Sequence, residues 1–179
     1  MKKNLIIWQV AGLTSTAILG TLLHFLFQWT NLNFIAPFSA VNESTWEHMK
    51  LVFIPSLIFA FVQSFFAKKE YPCFWLIKLI GILVGTLLIP ILFYSLSGIF
   101  GKLPAVINVL IFFVSIIIEY LLEFFMFNKL SCNINLNILY VSILITILLL
   151  FIIFTFYPPK IPLFLDPVTN RYGIVNYLK

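Results

Sequence analysis

The chain predicts an all-α integral membrane bundle of about five transmembrane helices with a short C-terminal tail that docks back onto it. Three observations carry this. Hydrophobic residues make up 62% of the sequence and charged residues 9%, whereas a soluble domain is roughly half apolar and about a quarter charged. Mean hydropathy is +1.09. The apolar residues are gathered into several runs of the ~18 residues or more that a bilayer crossing requires. The lipid bilayer is therefore the first partner expected, with a homo-oligomer or a membrane subunit as a possible second. The chain divides into a helical bundle over residues 1–157 and a Pro-rich interfacial tail over 158–179.

The first span is expected over residues 5–28, too long for the ~7–15-residue core of a signal peptide. Thr14, Thr21, His24 and Gln28 recur at helical spacing and predict a polar face turned toward other helices. Gly12, Thr16 and Gly20 form a separate edge of small residues. The second span, 45–66, is announced by Ser44-Thr45-Trp46-Glu47, a capping box in which Ser44 is the N-cap and Glu47 reaches back to it. The third, 74–96, carries Gly81 and Gly85 at the spacing that seats a neighbouring helix. The fourth, 104–127, has an inward stripe of Asn108, Ser115, Glu119 and Glu123. The fifth, 134–157, is stopped by Pro158 and Pro159.

The net charge of +5 comes from basic residues scattered at segment ends, where they orient helices, and gives no footprint for nucleic acid. Lys2, Lys3, Lys68, Lys69, Lys129 and Lys78 fall on one side, and Lys102, Lys160, Arg171, Lys179 and Lys50 on the other. That bias predicts a multi-pass protein of the cell membrane with a cytoplasmic N-terminus and an external C-terminus. Cys73 and Cys132 are isolated, without a CxxC or a neighbouring histidine, and read as two reduced thiols.

Residues 42–50, Asn-Glu-Ser-Thr-Trp-Glu-His-Met-Lys, put two acids, an imidazole and an amine into a nearly uncharged chain. By topology His24, Glu43, His48 and Asp166 share one membrane face. They are the candidate catalytic and metal-ligating residues, because imidazole and carboxylate together suit a divalent ion with an open position. Inside the bundle, Lys78 and Glu123 sit at matching depth on adjacent antiparallel spans and read as a structural ion pair. Glu119, a turn deeper, has no cation in reach and is the candidate for proton or cation handling.

Phe38 to Lys50, His24-Phe25 upstream, and the stretch from Tyr157-Pro-Pro-Lys through Asp166 to Tyr172-Gly173 resemble a family of small bacterial polytopic membrane proteins catalogued as a domain of unknown function. That resemblance spans essentially the whole chain and implies no activity, cofactor or substrate. Three functions follow from the residues themselves. One is a bundle whose His/carboxylate cluster stabilises it or binds a ligand. The second is a membrane-embedded, metal-dependent hydrolase of a lipid or lipid-linked substrate. The third is a small proton-coupled transporter using Glu119.

Overall fold

The computed structural model describes residues 2–132 and 136–174. Five helices follow one another: α1 (Lys2–Thr30), α2 (Thr45–Ala67), α3 (Phe74–Phe100), α4 (Ala105–Lys129) and α5 (Asn137–Phe156), then a 3-10 turn at Pro162–Phe164. No strand occurs among the described residues; Leu165 and Tyr172 form an isolated bridge. All five helices are long and apolar enough to cross a membrane. The shortest has 20 residues, which at ~1.5 Å per residue matches the ~30 Å of a hydrocarbon core. The expected start of the fifth span at residue 134 lies outside the described residues.

α3 packs most extensively against α4 and α2, α1 lies on α2 and α4, and α5 leans on α3. α2 is the most enclosed helix and α5 the least. Outward-facing residues such as Phe65, Ile99, Val106 and Ile138 are largely exposed. An apolar coat of this extent on all sides is what lipid, rather than water, would cover.

The packing face of α1 differs from the one expected. Thr14 and Thr21 are exposed, and the Thr21 hydroxyl satisfies itself on the Ala17 carbonyl (2.8 Å), so this side chain needs no partner helix. The edge of small residues packs instead. Thr16 is fully buried and its hydroxyl lies 2.7 Å from the Tyr120 hydroxyl of α4. Gly20 lies against α2 where Pro55, lacking an N–H, leaves the Leu51 carbonyl without its helical donor. A Cβ on Gly20 would come within 2.6 Å of that oxygen.

Gly81 and Gly85 do not seat the backbone of a neighbour. They make room for two side chains of α4: a Cβ on Gly81 would meet Glu123 Cγ at 2.5 Å, and one on Gly85 would meet Glu119 Oε2 at 2.5 Å.

The cysteine expectation is overturned. Cys73 and Cys132 form a disulfide, with Cα atoms 5.4 Å apart. Local spacing held no sign of it, because the bond depends on the antiparallel α3–α4 hairpin, which returns the end of α4 to the start of α3.

The tail docks onto the start of α2. Phe164 packs on Trp46 (4.7 Å between ring centroids), and the Asn42 side-chain amide donates to the Gly173 carbonyl (2.8 Å).

Candidate metal centre

The end of the molecule opposite the disulfide is assembled by a series of backbone anchors. Ser39 from the α1–α2 loop inserts its hydroxyl into the α1 ladder: the Phe27 N–H donates to Ser39 Oγ (2.9 Å), and Ser39 Oγ donates to the Leu23 carbonyl. The Ala40 N–H reaches the same carbonyl (3.2 Å). The loop is thereby fixed to α1 beside His24. The Asn42 side chain accepts from the Ser44 N–H (2.8 Å), so Glu43 is held between two immobilised neighbours.

Ser44 has the extended backbone of an N-cap, and its hydroxyl accepts from the Glu47 N–H (3.4 Å). The return half of the capping box is replaced. Glu47 Oε2 accepts from the Val41 N–H (3.0 Å) and pairs with Lys50 Nζ (2.6 Å). The Ser44 N–H is already occupied by Asn42, and the ammonium draws the carboxylate away. Lys50 also donates to the Ala36 carbonyl (3.1 Å) and to Thr155 Oγ1 of α5 (2.9 Å). Its three donors are all used, as a fully buried ammonium requires. The signal for this pair in the sequence is the i,i+3 spacing of Glu47 and Lys50.

These anchors bring His24, Glu43 and His48 together. One nitrogen of each histidine and one oxygen of Glu43 lie within 4.8 Å of one another. Glu43 Oε2 is 3.8 Å from His24 Nε2 and 3.6 Å from His48 Nε2. His48 Nδ1 is 2.9 Å from the Ser44 carbonyl. A carbonyl only accepts, so Nδ1 carries the proton and the lone pair of the neutral ring is on Nε2, facing Glu43. His24 is held by ring contacts with Phe25 (4.8 Å) and His48 (5.3 Å); its Nδ1 is buried without a partner.

Asp166 is not brought into the cluster. Its carboxylate is fully buried and accepts from the Val168 N–H (2.8 Å) and the Thr169 hydroxyl (2.7 Å), which closes the turn of the tail. The residues after it do reach the site. Pro167 and Val168 join Glu43, Thr45 and His48 in lining a cleft of about 580 Å³ between the ends of α3 and α4.

The other acids lie deep in the bundle. Lys78 Nζ is 2.6 Å from Glu123 Oε2, among the rings of Phe59, Tyr120 and Phe127 at 5.3–5.9 Å. Glu119 is fully buried, and neither of its carboxyl oxygens has a hydrogen-bond partner within normal distance. It does not line the cleft.

Fold and cluster together define a bundle of five membrane-length helices with a His/carboxylate group at one end. The chain belongs to the family of unknown function DUF6512, whose family model matches residues 1–174. No curated protein and no solved structure matches it.

Proposed function

We propose that this is a multi-pass protein of the cell membrane that holds a divalent metal ion on His24, Glu43 and His48, with a coordination position open to the cleft. One observation carries the reading. The 3.6 and 3.8 Å separations from Glu43 to the histidines are too long for hydrogen bonds. These two separations lie within a few tenths of an ångström of the roughly 3.3–3.6 Å between two ligands on one tetrahedral ion; the two histidine nitrogens, within 4.8 Å of each other, would close in on the ion. The tautomer imposed on His48 by Ser44 is the one that ligates through Nε2.

Two histidines and a glutamate with an open position make a set suited to zinc. Such an ion lowers the pKa of bound water to about 7 and polarises an ester or amide carbonyl. Hydrolysis of an amphiphilic substrate is the chemistry this arrangement supports. The transport reading has Glu119's unpartnered carboxyl in its favour, but a carrier needs a polar path to that group, and the cleft does not reach it.

Purified protein loaded with zinc and freed of excess ion is expected to retain about one equivalent, and His24→Ala, His48→Ala and Glu43→Gln to retain far less. No bound zinc in the wild type, or full retention in all three variants, would dispose of the centre.

With the buried Lys50 and Lys78 set aside, orientation rests on Lys2, Lys3, Lys68, Lys69 and Lys129 at one end against Lys102, Lys160, Arg171 and Lys179 at the other, a small excess that favours a cytoplasmic N-terminus and an external metal centre. The Cys73–Cys132 disulfide at the N-terminal end weighs the other way, because such bonds persist outside the cytoplasm. Alkylation of intact cells before lysis decides between the two: labelling of both cysteines would place that end in the cytoplasm and the metal centre outside, and an unlabelled, intact disulfide would turn the metal centre inward.

A further inference from the structure

The cleft beside the metal centre has a polar mouth and an apolar depth. One wall is a stripe of α3, Ile89, Phe93 and Ser97, and the other is formed by Ala105, Asn108, Ile111 and Phe112 of α4, with Lys102 on the loop between. Inward from the helix ends, Ser97, Lys102 and Asn108 give way to Phe93, Ile111 and Phe112, then to Ile89. Water fills such a depth poorly, and a free inorganic anion would leave it unused.

The mouth holds one acid, Glu43, on the wall formed by the α1–α2 loop, and its positive charge on the wall between α3 and α4. Lys102 is the one lysine or arginine lining the cleft, and no acid lies within ion-pair distance of it among the described residues. The N-terminus of α4 opens there, with Pro104 supplying no side-chain cap to its first N–H groups, so the positive end of a 25-residue helix adds to the lysine. Asn108 Oδ1 is buried in the same wall without a partner. A carboxamide carries both an acceptor oxygen and a donor NH2, so Asn108 can turn either toward the cleft. A volume of about 580 Å³ is in the range for one small ligand, ~300–1,000 Å³.

We propose that the cleft binds an amphiphile with one apolar chain and an anionic headgroup, the headgroup at Lys102, Asn108 and the α4 N-terminus, the chain against Phe93, Ile111, Phe112 and Ile89. The proposal rests on the metal-centre reading only in naming this amphiphile as what the ion meets; binding itself needs no metal.

The test uses the full chain in nanodiscs of zwitterionic phosphatidylcholine, stripped of metal with EDTA. Radiolabelled dodecyl phosphate is expected to bind saturably at one site, about tenfold or more tighter than dodecanol, since a charge-assisted contact contributes at least ~1.4 kcal/mol, a factor of ten. Inorganic phosphate is expected not to compete. Lys102→Gln should abolish most of the preference for dodecyl phosphate while leaving dodecanol binding unchanged. Ala105→Trp, an exposed position at the mouth, should weaken both. Equal binding of dodecyl phosphate and dodecanol by the wild type would overturn the proposal. So would competition by inorganic phosphate at equal concentration, which marks a free-anion site, or unaltered binding in both variants, which marks partition into the bilayer. Wild type that binds dodecyl phosphate as described but never retains zinc would keep the cleft and remove the metal centre.

Discussion

Replacing Lys78 with methionine is expected to destabilise the protein by about 3–5 kcal/mol, the penalty for removing one partner of a buried ion pair. Lys78 is 1% exposed, pairs with Glu123 at 2.6 Å, and is enclosed by three aromatic rings. Without it, Glu123 and Glu119 lie one turn apart in the bundle interior with no cation beside them among the described residues. The double variant Lys78→Met/Glu123→Leu is expected to regain most of the loss, because the orphaned carboxylate is removed along with its partner. Unfolding midpoints in detergent for the wild type, both single variants and the double variant complete the cycle. A loss below about 1 kcal/mol for Lys78→Met would rank the pair with ordinary surface bridges.

Lys50→Met is expected to produce a loss of similar size, about 3–5 kcal/mol, and a second effect that Lys78→Met does not share. Lys50 is fully buried and ties Glu47 to the Ala36 carbonyl and to Thr155 of α5. Glu47 in turn holds the Val41 N–H, two residues before Glu43. Releasing the lysine loosens the loop that presents Glu43. Zinc affinity should fall about tenfold, the lower end of what loss of supporting groups does to a metal site. Equilibrium dialysis of both lysine variants, below their unfolding temperatures, separates the effects: Lys78→Met should keep wild-type affinity. Equal zinc affinity in Lys50→Met and wild type would show that Glu43 is positioned without this network.

Helix number and the pairing of α3 with α4 were readable because hydrophobic runs and antiparallel connection are properties of the linear chain. His24, Glu43 and His48 were readable as neighbours in depth for the same reason. Their separations were not, because these depend on Ser39 entering the α1 ladder and Asn42 bracketing Glu43, contacts that no periodicity encodes. Asp166 illustrates the limit. Depth placed it beside the cluster, and the Asx turn it makes with Val168 and Thr169 takes its carboxylate out of reach. Thr14 and Thr21 show another. Polarity alone suggested an inward face, but a threonine that bonds its own helix needs no neighbour. The disulfide was hidden by distance, its cysteines being 59 residues apart.

Gly81 and Gly85 have a consequence for how the α3–α4 hairpin finds its alignment. Two helices made of isoleucine, leucine and phenylalanine in lipid have little reason to prefer one vertical offset over the next, since lipid tails match their side chains in polarity. Here the glycines act as two notches and Glu123 and Glu119 as two pegs. A slide of one helical turn, about 5.4 Å, sets either Ile77 opposite Glu123 or Ile89 opposite Glu119, a branched side chain where only hydrogen fits. Filling either notch should therefore set a side chain against the offset that the Lys78–Glu123 pair favours, so its signature would be a lower melting point and, once the Cys73–Cys132 bond is reduced, a mixture of alignments.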